Sequence, residues 1–315
     1  VAVASHLPAI ALAAILGTVV MSTMTPRPDD PRADPIFRKW PLSGAAKLAS
    51  GEVKTPFHGY DMTAYIVTGH VDYDAASAVL KDTKSTKVPA RTSDGRALAS
   101  IWVMKYRDTA IGPYDEVVVS FLSSTRSEPL ELSCRSTDTF CNAHNLMNNP
   151  DTQTLVYKLW LTEQVPVDYG RDILGANKYL VKKMSIEHGA SSVKLVIPGV
   201  LELEAPHPTV GTTLAAFPSL IRTAGVVDTI RMLLNKVVAV NIAFSVDVAP
   251  RFKSTHPECV SWMHAGPDAA FGEWSPDAKL KMMAPDLQSL GFTPVVAQID
   301  PQLRFALSDP LNGGV

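Results

Sequence analysis

Lys178 lies in YGRDILGANKYLVKK, residues 169–183, eight positions beyond the glycine of a Tyr-Gly-Arg turn, with Lys182 and Lys183 just after it. A lysine at the mouth of a pocket is a nucleophile once it has lost its proton; a lysine in water is a surface charge. Which of these Lys178 is depends on the elements around it, because few other motifs compete. The sequence has no GxGxxG, no Walker loop and no GxSxG elbow, so dinucleotide, nucleotide triphosphate and serine-esterase readings lack their usual support. It has no HExxH, and its eight histidines are scattered. His256 and His264 read as ordinary loop imidazoles. Cys134 and Cys141 have neither CxxC spacing nor a matched histidine pair, and Cys259 stands alone, so the expectation is no metal and no cofactor. A Cys134–Cys141 bridge is open to the chain in an oxidising compartment.

A length of 315 residues suffices for one large core or two ordinary ones, and 46% apolar with 19% charged residues is the balance of a folded chain. Net charge is -2 and no dense Lys/Arg block occurs, which argues against nucleic acid as a partner. Residues 1–24 carry no Lys, Arg, Asp or Glu. That segment reads as the remnant of an export signal, a membrane anchor or an apolar oligomer helix, or as a reading-frame extension ahead of Met21 or Met24. The location follows it: cytoplasmic, or exported and membrane-associated if residues 1–24 act as a signal or anchor. Residues 25–55 read as a Pro-rich polar linker. Residues 56–315 read as a single domain.

Within that domain strands dominate: LASIWVMKYR, DEVVVSFLSS, TLVYKLWLTE, SVKLVIPG, VLELEA and AVNIAFSVDV. Strict alternation places Leu155, Tyr157, Leu159 and Leu161 on one face and Val156, Lys158 and Trp160 on the other. Helices are few. DYDAASAVLKD puts Ala75, Ala76, Val79 and Leu80 on one face with Asp72 or Asp74 as its cap. PSLIRTAGVVDTIRMLLNKV, residues 218–237, has helical spacing too. The pattern predicts a β-rich α+β fold built on an antiparallel curved sheet or central β-barrel with a few flanking helices.

Two stretches together resemble the acetoacetate decarboxylase family. The first is residues 73–121, with a G-P-Y-x-E turn at Gly112 to Glu116. The second is VDYGRDILGANKYL, similar to the family's G-R-E-x-x-G-x-P-K-K-L: Gly170, Arg171, Asp172 for Glu, Gly175, Lys178 and Leu180 match in register. A fainter likeness covers residues 265–278, and the whole spans most of residues 56–300.

The resemblance implies a Schiff-base lysine at Lys178 and an active-site acid at Glu116, which would orient substrate or move protons. A neutral amine attacks a ketone and forms an iminium ion, which accepts the electrons released when a β-keto acid loses carbon dioxide. An unperturbed lysine, with a pKa of about 10.4, stays protonated near neutral pH. Burial or a neighbouring cation favours the neutral form. Here the sequence departs from the family pattern. Tyr179 replaces the second lysine, Asn177 replaces the proline, and residues 123–153 include an insertion. Arg171 or the Lys182/Lys183 pair are the substitute cations, and Tyr179 is a candidate proton donor. Arg171 is equally a structural clamp of its turn.

The expected function is therefore that of a Schiff-base-forming lyase acting on a small or medium oxo acid, with Lys178, Glu116, Arg171 and Tyr179 as its site. The alternatives are an aldolase or dehydratase on the same fold, and a non-catalytic binder of an apolar ligand or structural oligomer. Family members typically associate, so a homo-oligomer is expected.

Overall fold

In the computed structural model the residues described are 29–82, 87–125, 128–138, 151–208, 237–244, 258–264, 266 and 268–307. A 3-10 turn at Pro31–Ala33 leads into α1 (Pro35–Lys39) and the hairpin of β1 (Gly44–Leu48) and β2 (Gly51–Thr55). These elements lie in the stretch read as a linker, and Asp34, Ile36 and Phe37 within it are buried. Next come β3 (Phe57–Asp72), α2 (Tyr73–Asp82), β4 (Arg96–Thr109), β5 (Tyr114–Ser124) and β6 (Thr152–Leu161). They are followed by α3 (Gln164–Asp172), β7 (Lys178–Leu180), β8 (Ser185–His188), β9 (Ser192–Ile197) and β10 (Leu201–Pro206). The described chain ends with β11 (Val237–Phe244), β12 (Glu258–His264), β13 (Ala270–Glu273), β14 (Lys279–Met282), α4 (Pro285–Ser289) and β15 (Thr293–Leu307).

The strands form a nine-stranded sheet, a four-stranded sheet of order β14-β10-β9-β8 and the β1–β2 hairpin. The large sheet runs β11-β12-β15-β3-β4-β5-β6-β7, with β13 alongside β15. The expectation of a central β-barrel is corrected by this division: the fold is strand-rich α+β with separate sheets, and β7 ends the order of the larger one. β11 also meets β6, in parallel and over three residue pairs, Ile242–Thr154 to Phe244–Val156. Alternation along a strand reports which of its faces are covered. It carries no information on how the sheet's ends meet, which is why the pattern over-reached here.

A second correction concerns β6. Its pairing with β5 shifts between Val119 and Ser120, which face Lys158 and Val156, so Tyr157 is the extra residue of a β-bulge. The bulge reverses the alternation. Leu155, Tyr157 and Trp160 enter the core shared with β9 and β10, while Val156, Leu159 and Leu161 enter the core on the opposite face.

The α2 helix forms as its spacing predicts, with Ala76, Val79 and Leu80 buried and Asp72 accepting the Ala75 amide at 2.9 Å. On the expectation of membrane association, no helix among the described residues is long and apolar enough to cross a membrane. Residues 1–24, which carried that expectation, lie outside the described residues, as do residues 218–236 of the second helix reading. Cys134 is disulfide-bonded, and Cys141 lies outside the described residues. His256 lies outside them too, whereas His264, expected in a loop, is the last residue of β12.

Candidate functional site

The Tyr-Gly-Arg motif, read as a turn, is the last turn of α3, whose buried face is Pro166, Val167, Tyr169 and Gly170. Pro166 is tolerated because it occupies the first turn, where its missing amide has no intrahelical partner to lose. The helix ends where Gly175 adopts a φ of +64° and the amide of Ala176 returns to the Gly170 carbonyl at 2.8 Å. The chain then enters β7, which pairs in parallel with β6 so that Lys178 stands opposite Leu159. Arg171 closes this loop, donating from Nε to the backbone carbonyl of Lys178 at 2.8 Å. It therefore positions the lysine's backbone.

Strand alternation separates Lys178 from its neighbour. Lys178 is 6% exposed and turns inward. Tyr179 is 37% exposed and stacks on Trp160, with ring centroids 6.5 Å apart and Lys158 Nζ 5.9 Å from its ring. Tyr179 thus lies away from the cavity that Lys178 lines. Lys182 and Lys183, considered as substitute cations, are exposed.

Lys178 extends across Gly170. A Cβ at that position would overlap Lys178 Cδ and Cε and would stand 3.0 Å from Cγ. Here glycine serves close approach, since the position is helical. The amine ends 3.2 Å from Glu116 Oε2, and Glu116 is itself only 4% exposed. The other carboxylate oxygen accepts a hydrogen bond from the Tyr106 hydroxyl at 3.2 Å. Tyr106 stacks on Tyr114 with centroids 4.3 Å apart and an interplanar angle of 18°. Burial, reinforced by the adjacent Glu116 charge, holds both phenols well above the ordinary tyrosine range, so Tyr106 stays a donor.

These groups share one end of a cavity of about 60 Å³, whose walls include Trp102, Val118, Val156, Leu159 and Phe305. At about 10–15 Å³ per water in this measure, that is space for roughly four to six waters, or a small organic ligand. Ile111 also borders a larger and more open groove of about 610 Å³ under the β1–β2 hairpin. Among the described residues no three His, Cys, Asp or Glu side chains gather as a metal site. Such a constellation can take a carbonyl group against an amine, pass a proton between amine and carboxylate, and exclude water by its apolar walls.

The structure brings together Lys178 and Glu116, which are far apart in sequence. It sets Arg171 on the backbone and Tyr179 outside. Sequence reasoning missed Tyr106 and Thr154. Tyr106 carries a readable sign: two positions beyond Met104 and ten before Glu116 on neighbouring strands, it shares Glu116's face by period-two alternation.

No protein-family model matches the sequence, and no curated protein does. Among solved structures the chain is similar to an acetoacetate decarboxylase, with a TM-score of 0.46 and 13% identity over 81% of this chain and 88% of that one. The acetoacetate decarboxylase of Legionella pneumophila gives 0.44 and 13% over 81% and 86%. The enduracididine biosynthesis enzyme MppR, in complex with pyruvate, gives 0.42 and 13% over 80% and 88%. At these values the likeness assigns neither a family nor an activity to this chain.

Proposed function

We propose that this protein is a Schiff-base-forming lyase acting on a small or medium oxo acid, with Lys178 as the nucleophile. The observation that carries the reading is a lysine residue 6% exposed whose amine lies 3.2 Å from a buried carboxylate, lining a cavity with apolar walls. The step begins with a proton passing from Lys178 Nζ to Glu116 Oε2. The freed lone pair attacks the ketone carbon, and the carbonyl oxygen takes one proton from the attacking nitrogen and one back from Glu116 and leaves as water. In decarboxylation the iminium then accepts the electron pair of the breaking carbon–carbon bond, the carboxylate leaves as carbon dioxide, and an enamine remains. A proton taken up from solvent reprotonates the enamine carbon, and hydrolysis, which consumes the water released earlier, restores the free lysine. No external oxidant or reductant is required.

Tyr106 positions Glu116 by occupying Oε1 and so leaving Oε2 to the amine. Arg171 anchors the Lys178 backbone. Incubation with acetoacetate, pyruvate and short 2-ketones in the presence of borohydride, followed by peptide mass mapping, is expected to place a reduced adduct on Lys178 and none in Lys178→Arg. Release of carbon dioxide separates decarboxylation from aldol or dehydration chemistry. An absence of adduct with every compound, or an adduct unchanged in Lys178→Arg, overturns the reading.

A further inference from the structure

Thr154 lies on β6, lines the same cavity as Lys178 and is 2% exposed. Among the described residues its hydroxyl is buried without a hydrogen-bond partner. The side chain is on the face of β6 that also presents Val156 to the cavity, ahead of the bulge at Tyr157. Leu159, which lies across from Lys178, is five positions further along the same strand. With a rise of about 3.3 Å per residue and one residue taken up by the bulge, the two backbone points are roughly 13–16 Å apart. The cavity therefore has a charged pair at one end, an apolar middle and a lone hydroxyl towards the other.

A buried hydroxyl with no partner is costly to the fold, and an isosteric valine would fill the space without that cost. Among the described residues no group packed against β6 bonds to an oxygen at this position. A ligand atom can.

We propose that Thr154 is a second ligand contact, so that the site takes a carbonyl compound carrying a hydrogen-bonding oxygen at the end remote from the carbonyl, with an apolar spacer between. This deepens the imine reading and rests on the same cavity. A hydroxyl both donates and accepts, so an alcohol, a second carbonyl or an ether oxygen would each satisfy it. Plain alkyl ketones would fill the apolar middle and leave Thr154 unpaired.

The test uses a ladder of 2-ketones of increasing chain length, each with and without a terminal hydroxyl, on the full chain. Two readouts are taken: borohydride trapping at Lys178, and thermal shift without borohydride. At the chain length that spans the cavity, the wild type is expected to trap and bind the hydroxylated ketone at concentrations about three- to tenfold lower than its deoxy parent. Thr154→Ser should keep that preference and Thr154→Val should lose it, with a Tm at or above the wild type's in the absence of ligand. Equal binding of both ketones by the wild type at every length, or a preference that survives Thr154→Val, overturns the proposal. Thermal shifts that follow Thr154 without any trapped adduct would leave the subsite standing and remove the imine reading. Trapping indifferent to Thr154 would do the reverse.

Discussion

Adding one methyl group at Gly170 separates the site from the fold. In Gly170→Ala the new Cβ would overlap Lys178 Cδ and Cε. Ordinary carbon–carbon contact is about 3.5–4.0 Å, so the lysine chain must move aside by about an ångström or more. Such a displacement removes the 3.2 Å contact between Nζ and Glu116 Oε2. An error of about 1 Å in a reacting group costs on the order of 100-fold in rate, so borohydride trapping should slow by about that factor. The fold is affected far less. Gly170 is within α3, where alanine is favoured by up to about 1 kcal/mol over glycine, and the atoms displaced belong to a flexible side chain. Tm should therefore stay within a few degrees of the wild type. Mass mapping with an amine-directed acylating reagent gives a second assay that needs no ketone: Lys178 should be protected in the wild type and more reactive in Gly170→Ala. Trapping and acylation both unchanged, at unchanged Tm, would refute the placement of the lysine chain across the glycine.

Two further outcomes follow from groups away from the cavity. Asp34 and Arg304 form a buried ion pair at 2.9 Å, with Asp34 also accepting the Ile36 amide, so Asp34→Ala should cost about 3–5 kcal/mol in urea unfolding, and a loss below about 1 kcal/mol would contradict its role as a tie between α1 and β15. Burial first, then the charges of His207, Lys105 and Arg107, lower the His188 imidazole from 6.5 to about 4. Below pH 6.5 the unfolded chain takes up a proton that the folded chain refuses, so stability present above that pH is lost as pH falls towards about 4, by at most about 3 kcal/mol, and His188→Leu should flatten that part of the stability profile measured by denaturant titration.

The sequence displays some parts of this molecule and conceals others for physical reasons. Val117 to Phe121 and Leu195 to Ile197 are apolar or alternating runs, and they lie in β5 and β9 as their pattern predicts. The longest strand, β3, was not read at all. Its sequence, FHGYDMTAYIVTGHVD, mixes Gly, Asp and Thr through sixteen residues because neighbouring strands and bulges bury nearly all of it on both faces, which erases the alternation. α3 was concealed by Pro166 and Gly170, residues of low helix propensity retained here for position and close approach. Lys178 and Glu116 were legible through the resemblance of their motifs. Their meeting was not, because it depends on β7 pairing in parallel with β6, a contact that leaves no local trace. Arg171 and Tyr179 illustrate the same gap: membership of a motif does not tell that Arg171, on α3, reaches a backbone carbonyl, nor which face of the three-residue strand β7 Tyr179 takes.

The extra residue at Tyr157 has a wider consequence. It lets one strand present Val156 and Leu159 to the cavity while Tyr157 and Trp160 serve the packing behind the sheet. Wall and scaffold are thereby entrusted to different side chains of a single segment, so exchanging Val156 or Leu159 can reshape what the chamber admits without disturbing the layer that keeps the chain folded. Pairing β6 as a regular strand with Tyr157 kept in the ladder would turn its second half over, presenting Trp160 to the chamber and placing Leu159 behind it, whereas deleting Tyr157 would leave both on their present faces. The division of wall from scaffold and its sensitivity to a slip in register thus come from the same irregularity.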